Sequence, residues 1–234
     1  MKIAIMQPYI FPYIGYFQLI NAVDKFVVYD NIQFTKKGWI NRNRLLVNGK
    51  DEYFTLPLKK DSDYLNVDRR KLADTFSTEK TKLLRRFAES YRKAPEFNSV
   101  FPLVEAVFNQ PEENLFRFIY QSLEAVNTYL DIKTELVVSS TIPVDHTLKS
   151  QDKVIAICKA LKATAYINPS GGVELYSKEV FKENNIELGF LKSNPLEYTQ
   201  FKNEFVPWLS IIDVMMFNPK EKIQQYLQSH YSIT

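Results

Sequence analysis

The chain opens on a four-residue apolar run, Ile3-Ala4-Ile5-Met6, that stops at Gln7-Pro8. That is the pattern of a short strand buried on both faces of a parallel sheet. Pro8 and Pro12 fix two φ angles and remove two backbone donors, so Tyr9-Ile10-Phe11 between them continues as neither strand nor regular helix. From Gly15 the apolar positions Phe17, Leu19, Ile20 and Val23 fall at helical spacing, and Asp24 leads into a second run, Phe26-Val27-Val28-Tyr29. Strand, loop, helix and strand in this order predict a parallel crossover. Such a unit sets the loop after its first strand at the carboxyl edge of the sheet, where open α/β sheets bind ligands.

Further along, Leu45-Leu46-Val47, Asn48-Gly49 and Tyr53-Phe54-Thr55-Leu56 read as a hairpin, Asn-Gly being the strongest short turn signal. From Asn66 to Arg92 the pattern turns helical, with Ser77-Thr78-Glu79-Lys80 as a start, Leu83, Leu84, Phe87 and Tyr91 as the apolar face, and Pro95 beyond the end. More helix is predicted over 100–108, despite Pro102, and over 111–130. The α/β rhythm then returns with a strand Glu135-Leu136-Val137-Val138, a helix over 152–161, a strand Ala165-Tyr166-Ile167, a helix over 173–182, a strand over 186–191 and a terminal amphipathic helix over 219–228. The expected fold is one α/β domain over residues 1–234, built on a Rossmann-like, mostly parallel sheet. A helical insertion over about 66–131 packs on that sheet as a cap or forms a dimer contact.

At 234 residues, 45% apolar and 24% charged, the chain has ample core for such a fold. No stretch reaches the roughly 20 apolar residues a bilayer requires, and the first apolar run is too short and too proline-broken for a signal peptide, so membrane insertion is not expected and the cytoplasm is. One cysteine excludes an intramolecular disulfide, and with two histidines it leaves little for a transition-metal site. Cys158 falls with Val154, Ile155 and Leu161 on one helical face and reads as core. Residues 1–93 carry 18 Lys/Arg against 10 Asp/Glu, while residues 94–234 carry 12 against 17. The basic half suggests an anionic partner, the alternative being a solvated surface. Its cations are scattered pairs such as Lys59-Lys60 and Arg85-Arg86 rather than a stripe, which argues against nucleic acid.

Candidate chemistry gathers at the predicted strand ends. The segment Asp30 to Arg44 carries Gln33, Lys36, Trp39, Asn41 and Arg42, and amide and guanidinium groups beside a tryptophan suit sugar stacking and phosphate clamping. The same residues also read as an edge strand. Ser140 and Asn168 end two later strands, and Gly171-Gly172 either allows close ligand approach or makes an ordinary turn before Tyr176. His146 is a candidate general base or a surface histidine. Asp213 and Ser210 interrupt a very apolar segment, so Asp213 needs a partner, with Arg42, Arg44 or the first loop as candidates. Asp213 then fastens the C-terminal part to the sheet, or serves as a catalytic base or an amine-binding carboxylate.

The run Met6-Gln7-Pro8-Tyr9, then Pro12-Tyr13-Ile14-Gly15-Tyr16-Phe17, Tyr29-Asp30, Gln33, Trp39 and Asn41-Arg42, resembles the signature of the WbqC-like family. Ile157-Cys158-Lys159, Tyr166, Gly171-Gly172 to Tyr176 and Ser210-Ile211-Ile212-Asp213 agree with it, so the resemblance covers essentially the whole chain. It implies a protein of bacterial O-antigen and surface-polysaccharide gene clusters. A weaker resemblance is to the nucleotidyltransferase superfamily that includes pantothenate synthetases. There a His-x-Gly-His signature contacts ATP phosphates between the first strand and helix, the slot held here by Tyr13-Ile14-Gly15-Tyr16, with tyrosine in place of both histidines. The two together imply ATP-dependent acyl or aminoacyl transfer to an amino group of a nucleotide sugar, with Mg²⁺ as companion. Gly15 and the helix start then hold phosphates, Tyr13 and Tyr16 hydrogen-bond them, Gln7 is a further substrate-binding residue, Lys36 and Arg42 neutralise charge, and Asp213 or His146 accepts the amine proton. The alternative is a non-catalytic protein that holds a nucleotide sugar or a partner transferase. Sequence leaves the oligomeric state open.

Overall fold

The computed structural model describes residues 1–202 and 204–234. Strands β1 (Lys2–Met6) and β2 (Lys25–Val28) pair in parallel across helix α1 (Ile14–Asn21), as the opening pattern predicts. Strands β3 (Arg42–Val47) and β4 (Lys50–Thr55) form a separate antiparallel hairpin. Its turn residues, Asn48 at φ 51° and Gly49 at φ 77°, have the positive φ that two-residue hairpin turns demand. Helices α2 (Phe76–Tyr91), α3 (Phe97–Phe108) and α4 (Leu115–Tyr129) follow, and then strand β5 (Glu135–Val138), helix α5 (Ser150–Ala160), strand β6 (Ala165–Pro169), helix α6 (Lys178–Glu183) and strand β7 (Glu187–Ser193). Helices α7 (Ile211–Phe217) and α8 (Lys220–Ser229) lead to strand β8 (Tyr231–Ile233).

The main sheet has the order β5-β2-β1-β6-β7-β8. Its first five strands are parallel and β8 closes the β7 edge antiparallel. Both faces are buried, and alternate residues feed two cores. Ile3, Ile5, Val27, Tyr166, Leu188 and Phe190 pack with α5 and α6 residues such as Ile157, Cys158 and Phe181. Ala4, Phe26, Val28, Ile167 and Leu191 pack on the other side with α1, the hairpin, α2, α3, α4, α7 and α8. The sheet is therefore mostly parallel and covered on both sides, and its five parallel strands present their carboxyl ends along one edge.

Two expectations need correction, and one strand was not expected. Residues 66–75 are not helical: they form a short 3-10 turn, Val67–Arg69, and isolated bridges. Their backbone groups bond to neighbours instead, Val67 N–H to the Ile32 carbonyl, Leu72 to Glu113 and Ala73 to Pro57. The segment after Gly171-Gly172 is a 3-10 turn, Ser170–Leu175, and α-helix starts only at Lys178, where the Ser177 hydroxyl accepts the Val180 N–H. The antiparallel β8 has no counterpart in the sequence reading. Among the described residues, no helix is long and apolar enough to cross a membrane.

Candidate functional site

The loop from Gln7 to Tyr13 leaves β1 at the carboxyl edge and is tied down from three directions. Ile10 N–H donates to the Ile40 carbonyl (3.1 Å), Asn43 Nδ2 donates to the carbonyls of Ile10 (3.1 Å) and Phe11 (2.8 Å), and Ser210 Oγ donates to Phe11 (2.7 Å). Ile211 N–H meets the Pro12 carbonyl at 2.9 Å. These bonds hold Phe11, fully buried and stacked on Phe108, at φ 42°, a left-handed backbone that costs an L-residue roughly 1–2 kcal/mol. Ser210 and Asn41 are scaffolding of the same kind: Ser210 also caps α7, and Asn41 Nδ2 donates to the Leu56 carbonyl.

Between this loop and the ends of β6 and β7 lies a cleft of about 480 Å³. Its floor is the start of α1, where no side chain caps the helix. The N–H groups of Ile14 and Gly15 have no partner within the helix, so that end presents donors and the positive pole of the helix dipole. A Cβ on Gly15 would sit in ordinary contact with Ser193 and Tyr13, each 3.5 Å away, so a branched side chain there would take up space at the helix start. Tyr13, Tyr9 and Tyr16 line one wall and Trp39 and Trp208 another, with Tyr13 and Trp208 rings 5.1 Å apart. Burial raises the phenols of Tyr9 and Tyr13 above their ordinary value, so both stay protonated donors. The Tyr16 proton is already given to the Gln7 carbonyl (2.9 Å), and burial pushes its pKa well up.

Two cations border the cleft. Arg44 bonds to Asp51 (2.8 Å) and to the Trp208 carbonyl (2.9 Å), and its guanidinium lies 5.7 Å from the Trp39 ring. Lys192 is exposed and forms no ion pair among the described residues. Ser193 Oγ is sealed from water beside the Tyr13 hydroxyl. The arrangement joins hydrogen-bond donors and positive charge to flat aromatic walls, which suits a ligand with an anionic group and a ring.

Of the residues singled out in the sequence, the cleft gathers Tyr13, Gly15, Tyr16 and Trp39, with Ser170 beside Asn168. Gln7 flanks it, half-buried, through its carbonyl. The others lie elsewhere. Arg42 points its guanidinium at the carbonyls of Gly38 and Lys37 and covers the Tyr53 ring. Gln33 and Lys36 both reach Asp63. Asp30 and Ser140 bond to each other beside β2 and β5. Asn168 accepts from Tyr166 (2.9 Å), and the Gly172 backbone lies close against its side-chain amide. Neither Gly171 nor Gly172 adopts positive φ, so close approach accounts for the second glycine. Tyr176 packs on Tyr166 and Phe181. His146 Nε2–H donates to the Ile142 carbonyl (3.1 Å), leaving Nδ1 to accept from Asn31 (2.9 Å).

Asp213 is fully buried, and its partners are neither arginine. Tyr91 donates to one oxygen (2.9 Å), and Tyr198 (2.6 Å) and Gln200 (2.7 Å) to the other. Burial pushes its carboxyl up to about 6, against the pull of these three donors. Tyr91 in turn accepts the Leu46 N–H, so the carboxylate ties α7 to α2 and the hairpin.

Residues the sequence reading missed are Asn43, Arg44 as a cleft residue, Lys192, Ser193 and Trp208. Alternation along β3 sets Arg44 on the face of Arg42, a usable signal. Lys192 and Ser193 were out of reach because the apolar run of β7 stops at Leu191 while the strand continues to Ser193.

The profile of the WbqC-like protein family matches residues 7–225. An uncharacterized protein of Mycobacterium tuberculosis, Rv1507c, is 28% identical over 232 residues, which cover 97% of each chain. No solved structure matches. The similarity to nucleotidyltransferases finds no support in these comparisons.

Proposed function

The chain belongs to the WbqC-like protein family, and from that premise we propose that it takes a nucleotide-linked sugar of O-antigen or other surface-polysaccharide assembly into the aromatic cleft and modifies it there. The observation that carries this reading is the uncapped start of α1 opening between aromatic walls beside Lys192. The helix N–H groups and Lys192 serve the diphosphate, and Trp39, Trp208 and Tyr13 serve the faces of sugar or base. The reaction is transfer of an acyl or aminoacyl group to an amino group of the sugar: an amide C–N bond forms, the bond from the acyl carbon to its activating phosphate oxygen breaks, and the amine proton passes to the departing phosphate. The same donors fit the phosphates of ATP. No carboxylate lines the cleft among the described residues, so Mg²⁺ would be held by phosphate oxygens rather than by the protein. In the cytoplasm, both nucleotide and nucleotide sugar are at hand.

A second reading, a non-catalytic holder of the nucleotide sugar, is favoured by the positions of Asp213 and His146. Their hydrogen-bonding atoms are engaged away from the cleft, which among the described residues also lacks an imidazole. Thermal unfolding with ATP, ADP and a panel of nucleotide sugars, each with Mg²⁺, tests the binding common to both readings. A ligand at 100 times its Kd adds about 2.7 kcal/mol, and that gain should vanish in Gly15→Val. No stabilisation by any of these ligands overturns the proposal. Mass spectrometry of a mixture of protein, nucleotide-linked amino sugar, acyl donor and ATP then separates the readings, since only the enzyme yields amide with turnover.

A further inference from the structure

The β3-β4 hairpin turns one face to the core and the other to solvent. Asn43, Leu45 and Phe54 are buried, while the pairing register sets Arg42 opposite Thr55 and Arg44 opposite Tyr53 on the outer face. Trp39, in the approach to β3, stacks on Tyr53 with ring centroids 6.0 Å apart and planes 23° from parallel. The pair is still open to solvent, Trp39 37% and Tyr53 50% exposed. Two large rings side by side outside the core gain little from folding, and an exposed apolar platform of this kind marks a contact surface.

Guanidinium groups hold both rings. Arg42 lies 5.0 Å from the Tyr53 ring and Arg44 5.7 Å from the Trp39 ring. Each is itself tied down: Arg42 Nε and Nη2 donate to the carbonyls of Gly38 (3.1 Å) and Lys37 (2.6 Å), and Arg44 donates to Asp51 and the Trp208 carbonyl. The platform is thus ordered before a ligand arrives, which lowers the entropic cost of binding. Its charges are not all used. Lys36 is paired with Asp63 and Arg44 with Asp51, but among the described residues Arg42 meets no carboxylate, its Nη1 makes no hydrogen bond, and Lys37 forms no ion pair. The bond from Arg42 to the Lys37 carbonyl makes these two free cations neighbours at the border of the platform. A flat apolar surface beside so few uncompensated charges fits a ring that carries a single carboxylate. A nucleic-acid strand needs a run of cations along its phosphates, and here the next two are already neutralised.

We infer that the outer face of the hairpin binds an acidic sugar residue of a glycan, its ring stacked on Trp39 and Tyr53 and its carboxylate held by Arg42 and Lys37. Aromatic faces suit the C–H side of a pyranose, and the guanidinium gives the carboxylate charge-assisted hydrogen bonds. The site shares only Trp39 and Arg44 with the aromatic cleft, and it rests on neither reading of that cleft.

The chain has two tryptophans, so Trp208→Phe leaves Trp39 as the sole indole reporter. The test is fluorescence titration of that full-length variant with trisaccharides of galacturonate, guluronate and mannuronate, a hyaluronan tetrasaccharide, the methyl ester of each, and an oligodeoxythymidylate. At least one acidic oligosaccharide should change Trp39 emission saturably, and its methyl ester should bind about tenfold more weakly. Tyr53→Ala should weaken binding about tenfold with circular dichroism unchanged, while Tyr53→Phe keeps it. Arg42→Gln should bring the acid down to the affinity of its ester, and it carries the test should Tyr53→Ala fail to fold. Gly15→Val should leave this binding intact, so failure of the nucleotide-sugar reading is seen separately. No response across the panel, equal binding of acid and ester, tighter binding of the oligodeoxythymidylate, or undiminished binding to a folded Tyr53→Ala or Arg42→Gln protein would overturn the assignment.

Discussion

Trp208 stands half-exposed at φ 61°, a conformation a bulky L-residue adopts only when its surroundings impose it, and its carbonyl is held by Arg44. A residue that strained, with little burial in return, is kept for what it touches. Trp208→Gly should change the unfolding free energy by less than about 1 kcal/mol, because relief of backbone strain offsets the lost contact with Tyr13, yet weaken nucleotide-sugar binding about tenfold. Denaturant unfolding and ligand titration of the variant check the two halves separately. Asp213 makes the opposite case, a chemically potent residue spent on architecture. Its folded pKa of about 6 exceeds the ordinary aspartate value, so the folded state holds the proton more tightly than the unfolded one. The stability Asp213 contributes is thus fullest below about pH 4 and declines until about pH 6, by about 3 kcal/mol in all. The gap in unfolding free energy between the native protein and Asp213→Ala should therefore narrow as pH rises across that interval; a gap that widens would mean the carboxyl is stabilised as an anion.

At the scale of elements, the turn after β6 shows what two adjacent glycines do. A Cβ on Gly171 meets nothing within 4 Å, while one on Gly172 lands on the side-chain amide of Asn168. Gly172→Ala should lower stability by about 1–3 kcal/mol, and Gly171→Ala by less than about 0.5 kcal/mol, measured by chemical denaturation. Element by element, the parallel strands and most helices were legible because both-face burial and helical spacing leave local marks in the order of residues. Residues 66–75 misled because their periodicity is local while their hydrogen bonds run to Ile32, Pro57 and Glu113. Tyr231-Ser232-Ile233 carried no mark at all, since a three-residue strand exists only by pairing with β7. For the cleft, Tyr13, Gly15 and Trp39 could be found from motif and composition. Lys192 and Trp208 could not, because their membership depends on how β7 and the approach to α7 meet in space.

At the scale of the whole molecule, burial pushes the Cys158 thiol up to about 12, deep in the core formed with α5 and α6. The native protein should resist thiol reagents at neutral pH and label only as fast as it opens, so labelling followed against denaturant reports the stability of that half of the sheet. The strand order carries a further consequence. β1, made from the second to sixth residues of the chain, ends up third of six, with β2 on one side and β6 on the other. During synthesis its first edge can be satisfied almost at once, by residues 25–28. Its second edge stays open until residues 165–169 have emerged, some 140 residues later, which at translation speeds of about 5–20 residues per second is on the order of ten seconds. For that interval a strand destined to be buried on both faces is a nascent, half-paired edge, and the hazard of misassembly on the ribosome is concentrated there.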